Sequence, residues 1–283
     1  MRHIPSWRLI LPQAASTGLL YGAAFIIAFP LYLVIVNAFR PTADILEAPL
    51  GLSLGRLTTT NFSRVFADPG VSIVNAYVTT IIVAILSTFV SILVAAMAAY
   101  PLARGRGRTS AVIYGAIVAG ILIPPQVAIL PGSQILSAVG LMFTLPGLVL
   151  YNVFIALPLS LFILVPFMAT IPRELDEAAR MDGAGTVRIF FLVILPLMRP
   201  AIATLAVLLG LFFWTDLVPP LIILGPLSGN TISTGIYRAI GQFSTDWGTA
   251  FAWLWLTCVP IMLVFVWAQR FLIGGMTDGA TKG

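Results

Sequence analysis

The sequence predicts an all-α, polytopic membrane protein with six transmembrane helices, and three observations lead there. Of its 283 residues, 59% are hydrophobic and only 9% are charged. A soluble globular chain carries about a quarter charged residues and could not bury this much apolar surface. The apolar residues also gather into six long runs, and a helix that crosses a bilayer needs about 20 of them in succession. Finally, the basic residues divide unequally between the two sides that those runs define.

In order, the runs cover roughly 17–39, 72–100, 110–130, 146–168, 199–224 and 248–270. The first follows Arg2 and Arg8. It exceeds the 7–15 residues of a signal-peptide core and no small-x-small cleavage site follows, so it is read as a retained span. The second is overlong and is expected to tilt or to project beyond the membrane. Its Ser87, Ser91, Ala95 and Ala99 recur at four-residue spacing, a small-residue stripe that lets helices approach closely in lipid. Span three meets Pro124-Pro125, and span five meets Pro219-Pro220; each pair must interrupt regular helix in the outer part of its span. Irregular backbone at that depth is tolerated where it lines a cavity or is buried in protein. Span four carries Asn152, and span five carries Trp214 and Asp216. Asp216 stands about 24 Å along the helix from Pro200, in the outer half of the membrane. Pro124, Pro125, Asn152, Trp214 and Asp216 are therefore the candidates for a substrate path or gate. For Asp216, a gate or substrate contact and an interfacial carboxylate held by backbone fit equally.

Six spans place both termini on one side. Eleven of the 15 Lys and Arg residues fall on that side, and Arg40, Arg56, Arg64 and Arg238 on the other. The positive-inside rule puts both termini in the cytoplasm. The Arg104, Arg106 and Arg108 run then anchors topology between two spans, and no nucleic-acid partner is expected.

Several chemistries are excluded. Cys258 is the one cysteine and His3 the one histidine, so no intrachain disulfide and no histidine metal cluster can form. "GLSLG" at 51–55 imitates a hydrolase nucleophile elbow around Ser53, but the elbow needs a His partner. No phosphate-binding loop exists, because the single lysine is Lys282. Any ATP and Mg must be bound by another chain. Ion-coupled carriers bury several ionisable groups, whereas Asp216 is the one acid well inside a span. A self-sufficient secondary carrier remains the alternative from a different class, since sodium can be held by carbonyls and hydroxyls.

The densest charge lies in the cytoplasmic segment 169–200. Thr170 is expected to cap a helix with Pro172 in its first turn. Glu174, Asp176 and Glu177 then fall where the helix dipole favours negative charge. Arg173 with Glu177 and Asp176 with Arg180 are spaced as i,i+4 ion pairs, while Ile171, Leu175, Ala178, Ala179 and Asp182 share one face. Gly183 can end the helix in the left-handed conformation, and Thr186 can cap a second short helix. The residues alone fit a solvated linker and a docking element equally.

Glu177-Ala178-Ala179, Gly183 and Val193-Ile194-Leu195-Pro196 resemble the EAA loop of ABC-importer permeases: Glu-Ala-Ala, three residues, Gly, nine residues, Ile-x-Leu-Pro. Val193 replaces the usual Ile. "DGA" at 182–184, "LPLMRP" at 195–200, "ILIPPQVAILP" at 121–131, "FFWTD" at 212–216, "DWGTAFAW" at 246–253 and "GGMTDGATKG" at 274–283 are similar to segments of the six-span, maltose-type carbohydrate permeases. Thr215 departs from the Asn of many relatives.

The resemblance implies the type I importer permease fold in a bacterial cytoplasmic (inner) membrane. It implies a pore subunit without catalysis of its own, paired with a second homologous permease subunit, two ATPase subunits and an extracytoplasmic solute-binding protein. Coupling to the ATPase would fall on Glu177, Ala178, Ala179, Asp182, Gly183, Leu195 and Pro196. Tail residues Thr277, Asp278, Gly279 and Lys282 would reach the ATPase interface. The implied organisation is an N-terminal part at 1–71, a core permease domain at 72–272 that includes the loop at 169–200, and a cytoplasmic tail at 273–283. A carbohydrate is the implied solute, with glycerol phosphate or another polyol as the alternative in the same branch.

Overall fold

The computed structural model describes residues 7–51, 56–68, 70, 72–105, 107–225, 230–240 and 246–280, and all regular structure among them is helical. Four helices are long and apolar enough to cross a bilayer, or six if each of two bent helix pairs counts as one span. The chain divides into two compact units, residues 1–69 with 236–259 and residues 70–235 with 260–283.

In the first unit, α1 (Trp7–Ala38) is followed by α2 (Thr42–Glu47) and α3 (Thr60–Ala67). From Leu19 to Ile27 the apolar side chains of α1 are exposed, as expected of a helix apolar all round that meets lipid or another subunit. Beyond it the chain is held by polar groups. Arg40, only 2% exposed, donates to Asn37 Oδ1 at 3.0 Å, Asp44 O at 2.8 Å and Ala48 O at 2.9 Å. One guanidinium thus adds a second donor at the carbonyl end of α2, where Asp44 O also accepts from Ala48 N–H and Ala48 O from Gly51 N–H. Asn61 Nδ2 donates to Ala38 O and Arg40 O, and its side chain packs on Gly248, where a Cβ would come within 2.6 Å of Asn61 Oδ1.

Asp246 completes this knot at the start of α13 (Trp247–Ala280). It accepts from Thr42 Oγ1 at 2.5 Å, Thr249 Oγ1 at 2.7 Å, Thr249 N at 3.3 Å and Arg64 at 2.8 Å. Burial by itself pushes this carboxyl up, but the hydrogen bonds from Thr42, Thr249 and Arg64 outweigh it and hold the group below the usual carboxylate range.

In the second unit, α4 (Ile73–Arg104) is the axis, and α7 (Leu145–Ala169) and α11 (Arg199–Thr215) pack along it. At 32 residues α4 is about 48 Å long, more than the hydrocarbon core requires. Ser87, Ser91, Ala95 and Ala99 are all fully buried, and Asn152 Nδ2 on α7 donates to Ser87 Oγ at 3.0 Å.

The third run, read as a span at 110–130 that Pro124-Pro125 interrupts, is broken at those prolines. Helix α5 (Arg108–Val118) tightens into a 3₁₀ turn at Ala119–Leu122, and α6 (Pro125–Ala138) leaves at 108°. Pro124 and Pro125 lack the N–H groups that would continue the ladder. The fifth run, expected to reach 224, is helical only to Thr215 and resumes as a π-helix at Pro220–Leu224. The helix stops before the prolines because the Pro219 ring would strike the Thr215 carbonyl four residues back; Asp216 accordingly turns extended. The connection from α6 to α7 docks on this break, with Phe143 N–H donating to Ile223 O at 2.8 Å. Near the second unit's boundary, α12 (Ile232–Ile240) is fixed at its start by Ile232 N–H donating to Thr80 Oγ1 at 2.9 Å. Helix α13 continues through Ala280 without interruption, so Thr277, Asp278 and Gly279 are helical; Lys282 and Ser53 lie outside the described residues.

Candidate functional site

Between α7 and α11 lie α8 (Glu174–Met181), α9 (Thr186–Ile189), a π-helix at Phe190–Ile194 and α10 (Leu195–Leu197), and this run meets α11 at 75°. The turn after α8 is built as the glycine predicts. Gly183 has φ +80; its N–H donates to Arg180 O at 3.0 Å, and Ala184 N–H reaches back to Ala179 O at 2.9 Å. That pair of bonds is a Schellman close, which requires the left-handed residue that glycine supplies without strain.

Both expected threonine caps fail. Thr170 ends α7 instead, donating from Oγ1 to Phe167 O at 2.7 Å, because a residue preceding Pro172 is disfavoured in the helix and α8 starts two residues later. Thr186 is the first residue of α9, with Gly185 in the cap position.

The expected i,i+4 ion pairs are also absent among the described residues. Asp176, 5% exposed, turns inward. It accepts from Tyr100 OH at 2.5 Å and pairs with Arg104 at 2.7 Å. Arg104 also donates to Ile171 O at 2.8 Å, and Arg173 reaches Ala103 O at 3.4 Å. A buried carboxylate gains more from a guanidinium and a phenol in a dry site than from an exposed neighbour on its own helix.

This inward rotation leaves the other face of α8 exposed. Glu177, Ala178, Met181, Asp182 and Val187 are exposed, Met181 at 88% and Val187 at 72%. Ala179 and Ala184 pack on the core instead, so of the motif's two alanines Ala178 is exposed and Ala179 is half-buried. The connector is anchored by Ile189, Phe190, Ile194 and Met198, all buried, with Leu195 half-buried against them and Pro196 likewise half-buried. Met181 and Val187 extend the presented face beyond the motif; their signal in the sequence is a large apolar residue on each side of the turn.

A second place is a cavity of about 50 Å³ where α7, α11 and the start of α6 converge. Asp216, Asn152 and Pro125 line it, together with Gln126, Tyr151 and Phe212. Tyr151 OH donates to Pro125 O at 3.0 Å, which ties the broken third run to α7. Pro124 does not line the cavity, and it is exposed at the start of α6. Trp214 lies elsewhere, its ring 6.5 Å from that of Tyr77. Gln126 lies in the 121–131 segment but is not among the predicted path residues, and Tyr151 carries no motif. No group of three or more His, Cys, Asp or Glu side chains able to hold a metal occurs among the described residues.

Residues 51–278 match the family described as "Binding-protein-dependent transport system inner membrane component". The chain belongs to that family. It is thus an inner-membrane component of a transport system and not an enzyme. The permease is 31% identical over 95% of its length to the diacetylchitobiose uptake system permease protein NgcG of Streptomyces coelicolor, 89% of which is covered. It is 31% identical over 93% of its length to the multiple sugar-binding transport system permease protein MsmG of Streptococcus mutans, of which 95% is covered. Among solved structures, the crystal structure of a bacterial ABC transporter involved in the import of the acidic polysaccharide alginate superposes with a TM-score of 0.71. That match has 19% identity and covers 95% of the permease and 99% of the other chain, so the two share the ABC-importer permease fold.

Proposed function

We propose that the chain is the pore subunit of an ATP-driven importer for a carbohydrate, and that it converts movement of a partner ATPase into alternating access. The observation that carries this reading is the α8–Gly183–α9 hinge, which presents Glu177, Ala178, Asp182, Met181 and Val187 on a firmly anchored connector to α11. Leu195 and Pro196 pass the movement on, and Ala179 seats the hinge. ATP and Mg belong to two ATPase subunits, and the tail at 273–283, with Thr277, Asp278, Gly279 and Lys282, extends towards them. A second, related permease completes the pore against the core at 72–272. A solute-binding protein delivers sugar on the side of the loop at 40–71, where the excess of basic residues is absent. Both termini then face the cytoplasm. The substrate path runs past Asp216 and Asn152.

Sugar as the solute is supported by relatives named for diacetylchitobiose and multiple sugars. The test is ATPase stimulation in the purified, reconstituted complex over a panel of mono-, di- and oligosaccharides and polyols. Stimulation by a sugar together with its binding protein is expected. Uptake by this chain alone in liposomes, without any ATPase, would overturn the proposal.

A further inference from the structure

We propose that the end of α4 carries a binding site for an anionic phospholipid. Arg104, Arg173 and Arg180 would hold its phosphodiester, and an acyl chain would lie along α4 past Pro101, Met97 and Val94. The site rests on the orientation proposed above, which places this end of α4 in the cytoplasmic leaflet.

A cavity of about 250 Å³ opens between the end of α4 and α8, and every side chain lining it is charged: Arg104, Arg173, Asp176, Glu177 and Arg180. Three guanidiniums face two carboxylates, and one carboxylate is already engaged. Asp176 is paired with Arg104 and bonded by Tyr100. Arg104 keeps a buried Nε without a hydrogen-bond partner. Arg173 also reaches Ala103 O and Arg180 interacts with Tyr100, but these partners are uncharged, so three guanidiniums against two carboxylates leave the cavity a net positive charge. Guanidinium forks match phosphate oxygens in pairs, which an ammonium cannot do.

The second observation selects a lipid over a soluble anion. Positions 94, 97, 101 and 104 follow one another at three- and four-residue spacing, so they form a single stripe on α4. Val94 is 38% exposed, Met97 is 50% exposed, and Pro101 is exposed as well. An apolar strip facing outward on a membrane span therefore ends at a basic cavity. Basic pockets beside spans on the cytoplasmic side are where anionic headgroups bind.

The test uses the full chain in detergent and native mass spectrometry with phosphatidylglycerol or phosphatidylethanolamine of identical acyl chains. One retained phosphatidylglycerol is expected, with phosphatidylethanolamine washing away. Arg180→Gln, at an exposed position, should weaken retention about fivefold, and adding Arg173→Gln should weaken it further, to more than about tenfold. Arg188→Gln, outside the cavity, should retain lipid as the parent does and reports on folding. Equal retention of the two lipids, or unchanged retention in the double variant, overturns the site. Displacement of the lipid by inorganic phosphate alone would reduce it to a plain anion site and overturn the lipid assignment. Because retention is read in detergent, its failure leaves the transport reading and the orientation untouched.

Discussion

Arg104 at the end of α4 and Asp176 on α8 form a buried ion pair at 2.7 Å, with side chains 13% and 7% exposed. Removing one partner of such a pair leaves an uncompensated charge and typically costs about 3 kcal/mol or more. Asp176→Asn is therefore expected to lower the denaturant midpoint of the purified chain clearly. Replacing both groups, as Arg104→Met with Asp176→Leu, should cost less than Asp176→Asn alone. A double variant less stable than either single one would refute a coupled pair.

The hinge offers a second test. A Cβ at Gly183 would meet nothing within 4 Å, so the penalty of substitution there is conformational. Gly183→Val forces a β-branched residue to φ +80, at a cost of about 1–2 kcal/mol or more. Gly183→Asn should be milder. We expect Gly183→Val and Glu177→Lys to insert normally but to lose uptake, because one distorts and the other recharges the presented face. Normal uptake with unchanged ATPase co-purification in both variants would sink the docking role.

Asp216 brings its carboxylate into a cavity shared with Gln126 and Asn152. If sugar passes there, Asp216→Asn and Gln126→Ala should lower uptake or change the order of preference among sugars. A carboxylate with only a structural part would leave that order intact. Competition uptake over several sugars distinguishes the two.

For Asp246 the sign follows from its depressed titration. A carboxyl held below its ordinary range in the folded chain contributes stability above that range, near pH 4. That contribution is present at neutral pH and is lost as pH falls through the lower, folded value. The parent should therefore be more stable than Asp246→Asn at pH 7, and the difference should shrink below about pH 4. A difference independent of pH would remove the carboxylate from the explanation.

Much of this was legible in the sequence. Gly183, the small stripe on α4 and the helix interruptions near both proline pairs follow from local rules, because steric limits at Gly and Pro act within a few residues. The position of Asp216 beside a break follows from counting along one helix. What could not be read was long-range. Asp176 has an Arg four residues away and chooses Arg104 across the fold, a preference set by burial. Gln126 and Tyr151 join the cavity only because α6 bends back towards α7, and no spacing announces that angle. The Thr170 cap failed for a local reason that was available, since Pro172 restricts Ile171.

The Arg104 guanidinium has a mechanical consequence. It grips the carboxylate of α8 and also the Ile171 carbonyl just past the end of α7, while α9 runs on through the π-helix and α10 towards α11. The presented hinge is thus a bracket bolted to three beams and not a flap on two strings. One side chain thus ties α8 and the segment after α7 to the end of α4, so removing the Arg104 guanidinium would cut two of the hinge's anchors at once.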